Sequence, residues 1–238
     1  VKYIDADGTG ASGILLVGDS AWKDEQREGR VFAGAAGRTL DKILAMMPGG
    51  GLQRADTTIA NTLWCSPPHL GWMDAPHRYP AAAAAIEHCR PHLDQLIVER
   101  QPRVIVPMGN VALRRVCGTS GIEAHAGYVL DSPYGIPVVP TYHPSFIMKG
   151  NHKLTPVVLW ALSRALEIAQ GTYKESQYDL LVDPDVATLR AYLAGPWDSD
   201  TLFVDIETPE SASLDEEELE EKGPSFTIVR AGFSVRKG

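Results

Sequence analysis

Gly13-Ile14-Leu15-Leu16-Val17-Gly18-Asp19 is the stretch on which the fold turns. A short apolar run of this length suits a buried strand, and the glycine and acid that follow mark the hand-over to a loop. The same pattern recurs at 57–62, 103–107 and 136–141, each time an apolar, β-branched run closed by a turn. Helix-period segments at 37–47, 81–100, 110–116 and 154–170 alternate with these runs, and Ala81 to Ala85 add high helix propensity. The alternation predicts a three-layer α/β/α fold on a four-stranded parallel sheet.

Gly171 is a natural helix stop, and a new unit begins behind it. Residues 178–184 lead to a helix near 185–193 and an apolar strand, Leu202-Phe203-Val204-Asp205-Ile206. The acidic run 215–221 reads as a solvated loop or exposed helix, and 226–235 as a second strand pairing with the first in a hairpin. The expected organisation is therefore one domain over 1–171 and a second piece over 172–238.

The 238 residues are 44% hydrophobic, 8% aromatic and 22% charged, which excludes a disordered, collagen-like or coiled-coil chain. No apolar stretch reaches the ~20 residues that span a bilayer, and the start has no secretory-signal layout, so a cytoplasmic protein without membrane contact is expected. The chain starts at Val1 and stops straight after a strand, which reads as a fragment cut at both ends. Three cysteines, an odd number, fit a reducing compartment. The net charge of -8 hides two unlike halves. Residues 1–171 carry 16 Lys and Arg against 15 Asp and Glu, while 172–238 carry 6 against 15. A basic groove in the first half is compatible with an acidic total.

In an open parallel sheet, ligands bind beyond the carboxyl ends of the strands. The residues placed there are Gly18 and Asp19, Asn61, Gly109 with Asn110, and Tyr142-His143-Pro144-Ser145. Singly, each has an ordinary reading: Asp19 as a helix cap, Asn61 as a turn residue, Phe32 as core, His143 as a surface loop residue. Jointly they put an acid, an amide, a close-approach glycine and an imidazole on one rim.

These residues resemble the uracil-DNA glycosylases, most closely the family 4 branch. The resemblance runs through Leu16-Val17-Gly18-Asp19 and the segment from Gly29 to Gly37, then Asn61 in Ala60-Asn61-Thr62-Leu63-Trp64-Cys65, then Cys89-Arg90-Pro91-His92-Leu93, and ends on Thr141-Tyr142-His143-Pro144-Ser145. It covers 13 to about 168 and implies that the chain excises uracil from DNA by hydrolysis. The base must leave the stack and be read on its Watson–Crick edge in a pocket. The resemblance implies that Asn61 pairs with uracil O4 and N3–H, that Phe32 stacks on the flipped ring, and that His143 donates to O2 as charge develops there. Asp19 would position water and favour the oxocarbenium-like sugar, with Asp24 a second carboxylate candidate. Gly18, Gly109 and the Pro144-Ser145 backbone would let DNA approach, with Lys149 and Lys153 as counter-charges. No cofactor is required for this chemistry.

Two departures stand out. The family usually has Glu at Asp19 and Gly-Pro-Gly at Ser20-Ala21-Trp22. Trp22 takes the motif position of a Tyr that excludes thymine in family 1; it either does that job or plugs the loop against the core. Family 4 also holds a [4Fe-4S] cluster on four thiolates. Cys65 and Cys89 match two, and the resemblance places the remaining Cys-x-x-Cys before Val1; the alternative is two inert buried cysteines. Relative to the family, a few extra residues lie near 70–74. Cys117 reads as packing.

Leu202-Phe203-Val204-Asp205-Ile206-Glu207-Thr208 resembles the first motif of the 3′–5′ exonucleases attached to family A DNA polymerases. Asp205 and Glu207, two apart on a strand, fall on one face and suit Mg²⁺ ions that clamp a phosphodiester; the alternative is a solvated strand edge. The carboxylates that would complete such a site do not occur in this chain. The resemblance implies a glycosylase joined to a polymerase module in a bacterial cell or phage-infected host, with uracil-containing DNA as partner. The other reading is a module that senses uracil without cutting.

Overall fold

The computed structural model describes residues 2–48, 52–68, 80–175, 185–194, 202–207 and 230–235. The chain divides into two compact units, Val1–Glu175 and Ser176–Gly238.

In the first unit the elements are β1 (Ile14–Ser20), α1 (Lys23–Glu28), α2 (Ala35–Ala45), β2 (Thr58–Leu63), α3 (Pro80–Arg100), β3 (Val104–Pro107), α4 (Asn110–Cys117), α5 (Ile122–His125), α6 (Pro144–Met148) and α7 (Thr155–Gln170). β1 lies at the centre, parallel to β2 on one side and β3 on the other. Its side chains alternate between two cores. Ile14 and Leu16 pack with Leu40 and Leu44 of α2 and Val158 and Leu162 of α7, whereas Leu15 and Val17 pack with Leu93 and Ile97 of α3 and Val111 and Val116 of α4. This period-two division makes the sheet the middle of three layers. Burying each large side chain contributes about 1.5–3 kcal/mol.

The sheet has three strands and not the four expected. Residues 136–141 do run parallel beside β3, but only as isolated bridges, Ile105 to Val138 and Met108 to Thr141. Val139 and Thr141 donate to the Ile105 and Pro107 carbonyls at 2.9 Å each, and Pro137 accepts from Ile105 at 3.0 Å. Pro107 and Pro137, whose nitrogens face this seam, have no N–H, so a continuous ladder cannot form. The segment still delivers Thr141, whose carbonyl accepts the Gly109 N–H at 2.9 Å.

Glycines end two of these helices. α4 stops at Gly118 and α7 at Gly171, both in the left-handed region. α3 runs unbroken through Pro91.

In the second unit α8 (Val186–Leu193) precedes β4 (Leu202–Glu207), which pairs antiparallel with β5 (Arg230–Val235). Asp205 lies opposite Gly232, and Glu207 opposite Arg230. The readings at 70–74, 178–184, 215–221 and 226–229 lie outside the described residues. Among the described residues no helix is long and apolar enough to cross a membrane.

Candidate active site

β1 extends three residues beyond the expected Val17, so Gly18 and Asp19 both belong to the strand. Gly18 pairs in register with Asn61 on β2, which fixes one wall. A Cβ built on Gly18 would lie 2.5 Å from Phe32 Cζ and 2.6 Å from Asn61 Oδ1. Gly18, Phe32 and Asn61 are therefore in direct contact, and glycine is the residue that leaves room for the other two. Asn61 is buried at 3% exposure, in the body of a strand rather than a turn. Its amide offers a donor and an acceptor side by side in a desolvated place.

The second group centres on Gly109, which precedes α4 with φ +92°. A Cβ there would stand 3.2 Å from His143 Cβ and 3.5 Å from Asp19 Oδ1. Asp19 from β1 and His143 from the loop after residue 141 thus meet across one glycine. Asn110, placed on the rim by its sequence position, accepts instead from the Gly121 and Ile122 N–H groups at 2.9 Å each and holds the start of α5.

Phe32 links the groups. Its ring stacks on His143 with centroids 5.5 Å apart and planes inclined by 28°. Its backbone sits at φ +50°, in a region that a residue with a Cβ rarely enters.

His143 caps α6, with Pro144 buried at the first helical position. The Ser145 N–H donates to His143 Nδ1 at 3.1 Å, and Ser145 Oγ lies 2.8 Å from the same nitrogen. A nitrogen that accepts a backbone N–H carries no proton, so the neutral ring holds its hydrogen on Nε2. His143 is thereby prepared as a hydrogen-bond donor through Nε2. The exposed stretch that follows carries Phe146, Met148, Lys149, His152 and Lys153.

The carboxylates on α1 divide. Asp24 is half-exposed, pairs with Arg27 at 3.1 Å and lies over Gly34, outside both groups. Glu25, which the sequence reading passed over, is buried. Trp22, partly buried, caps α1, and its backbone N–H donates to Glu25 Oε2 at 2.9 Å.

Cys65 and Cys89 lie close enough to act on each other, and burial first, then the Cys89 thiol, pushes Cys65 above its ordinary value. The Tyr3, Trp64 and His92 rings pack together, with centroids 5.0 to 5.6 Å apart, and Tyr3 feels Cys89 directly. Two adjacent soft thiols fit one half of a four-thiolate set. Among the described residues no cluster of three or more His, Cys, Asp or Glu side chains is placed to hold a metal. Cys117 stands apart, pushed up to about 11 by burial.

The family model for the uracil DNA glycosylase superfamily matches residues 7–167. Type-4 uracil-DNA glycosylases of Pyrobaculum aerophilum and Archaeoglobus fulgidus are each 29% identical to this chain, over 61% and 62% of its length and 73% and 72% of theirs. The type-4 uracil-DNA glycosylase of Thermotoga maritima is 31% identical over 64% of this chain and 75% of its own.

Proposed function

The chain belongs to the uracil-DNA glycosylase superfamily and is a DNA glycosylase, and we propose that it hydrolyses the N-glycosidic bond of deoxyuridine extruded from DNA, releasing uracil and leaving an abasic site. The observation that carries this reading is the meeting of β1, β2 and two loops at one rim: Gly18 touches both Phe32 and Asn61, Phe32 stacks on His143, and Gly109 separates His143 from Asp19.

The roles follow from chemistry at each atom. The Asn61 amide donates to uracil O4 and accepts from N3–H, while cytosine presents the reverse pattern; a bidentate match of this kind is worth about 1–3 kcal/mol of discrimination. Phe32 gives the flipped ring an aromatic face, contributing about 1–3 kcal/mol. As the C1′–N1 bond lengthens, the electron pair moves into the base and charge grows on O2. His143 Nε2–H donates there, and such a preorganised donor is worth about 3–4 kcal/mol of barrier. The Asp19 carboxylate stabilises the positive sugar and orients the water whose oxygen bonds to C1′, one of its protons ending on the departing uracil anion. Lys149 and Lys153 balance phosphate charge. No step needs a metal; Cys65 and Cys89 would hold half of an iron–sulfur cluster, which ties loop to helix in this reading and supplies no group to the bond cleavage. In the second unit, Asp205 and Glu207 on one strand support a finer reading, the opening of a 3′–5′ exonuclease in a polymerase fusion, with Mg²⁺ as its metal.

Release of uracil from a single-stranded oligonucleotide tests the main reading. Wild type should release the base, and His143→Ala and Asn61→Ala should each lose about 10²- to 10³-fold in rate. Wild-type binding to uracil-containing DNA with no release at all would refute the hydrolase and leave a uracil sensor.

A further inference from the structure

Glu25 has no part in the chemistry above, yet among the described residues it is the only buried acid, 8% exposed. Its two oxygens serve different segments. Oε2 accepts the Trp22 N–H at 2.9 Å, at the end of the loop that continues from Asp19, and Oε1 accepts the Gly34 N–H at 3.3 Å, nine residues further on. One carboxylate therefore joins the loop behind Asp19 to the turn that carries Phe32.

The turn is anchored on its other side as well. Arg54 donates through Nη2 to the Val31 carbonyl and is held by Asp7 at 3.3 Å and Asp41 at 3.1 Å. Between these anchors stands Phe32 at φ +50°. A Cβ on Gly37 would collide with the Phe32 carbonyl, so only glycine admits this path. A conformation disfavoured for phenylalanine persists only where its surroundings over-determine it, and strain of this kind collects at functional sites.

We propose that Glu25, acting with Arg54, is a positioning residue for base binding: it holds the Val31–Gly34 turn in its left-handed kink so that the Phe32 ring is preset against His143. This rests on Phe32 being the stacking partner of the extruded base. A role confined to capping α1 would stabilise the fold without touching the pocket.

A double-mutant cycle separates these. Uracil release from a single-stranded oligonucleotide gives kcat and KM, and inhibition by free uracil reads the pocket without the chemical step. Glu25→Ala should lower kcat/KM about 10- to 100-fold and weaken uracil inhibition about 10-fold, since two hydrogen bonds to a charged group are lost. Glu25→Gln keeps one acceptor oxygen and should fall between. Phe32→Ala should cost about 10- to 100-fold. In the Phe32→Ala background, Glu25→Ala should cost less than about 3-fold more, because its effect passes through that ring. Fully additive costs, or a lowered melting temperature with unchanged uracil inhibition, would overturn the proposal. If Phe32→Ala alone leaves kcat/KM at the wild-type value, the stacking reading fails first and takes this inference with it. Should Glu25→Ala not fold, Glu25→Gln and Arg54→Met carry the same cycle.

Discussion

At the rim, Asp19 and His143 face each other across a glycine, and Phe32 holds a backbone conformation that phenylalanine avoids. Between α3 and α4 the polar groups are arranged otherwise. The Arg115 side chain is 1% exposed; it donates to Tyr134 Oη and Asp94 Oδ1 at 2.6 Å each and to the Arg90 carbonyl at 2.9 Å. Tyr134 also donates to Asp94 at 2.6 Å. In this knot the Arg115 Nη groups, Tyr134 and Asp94 answer one another and tie two helices to a loop, while the buried Arg115 Nε has no partner among the described residues. At the rim, glycines and a strained turn let Phe32, Asn61, His143 and Asp19 approach closely. If the rim serves chemistry and the knot serves stability, substitutions in the two clusters should separate activity from melting.

The rim should break most sharply at Gly18. Gly18→Ala places a methyl where Phe32 and Asn61 now sit, at 2.5 and 2.6 Å, so one or both must move. Displacing groups by about 1 Å costs on the order of 10²-fold in rate. Uracil release should fall by about that factor or more, while the melting temperature stays within a few degrees. Unchanged release would mean that this contact does not form the pocket.

The opposite pattern is expected at Arg115. Arg115→Met removes the buried cation and leaves Tyr134 and Asp94 without it, at a cost of about 2–3 kcal/mol, discounted because Asp94 is partly solvated. Thermal melting should drop by several degrees, with kcat/KM per folded molecule unaltered. A loss of kcat/KM without a change in melting would place the knot within the active site.

Much of this contrast was legible in the sequence and some of it was not. The three strands and the rim residues follow from apolar runs that end on Gly18, Asn61 and Gly109, because a buried parallel strand allows few other readings. Arg115 leaves a trace too, since it lies on the apolar face of α4 with Val111, Ala112 and Val116. The fourth strand expected over 136–141 fails because Pro107 and Pro137 withhold two donors from its seam with β3, a local effect that the apolar run alone does not register. Glu25 left no trace. In Lys23-Asp24-Glu25-Gln26-Arg27-Glu28 every residue looks solvated, and its burial depends on Gly34 folding back over it. The left-handed backbone at Phe32 is equally silent, being fixed by Gly37 and Arg54 from elsewhere in the chain.

Trp22 offers a smaller effect that would sharpen the rim side. If its side chain screens the 5-position of the base, Trp22→Ala should raise thymine release relative to uracil by about 10-fold, the scale of one methyl in an apolar pocket. Thymine remaining as poor a substrate as for wild type would assign Trp22 to packing the loop.

The smallest effect tests the knot through pH. Burial raises the Asp94 carboxyl, but hydrogen bonds from Tyr134 and Arg115 and the Arg115 charge more than offset this, so it lies below its ordinary 3.8. The folded state then binds fewer protons than the unfolded chain near and below that value. By linkage its contribution is complete above about 3.8 and is lost as pH falls through the folded value. Wild type should melt above Asp94→Asn at pH 6, and the gap should narrow at pH 3 as the carboxylate takes up a proton. A gap of constant width would show that the shape of the side chain, rather than its charge, closes the knot around Arg115. Uracil release per folded molecule should be equal in the two proteins at pH 6, because Asp94 serves α3 and α4 and not the rim.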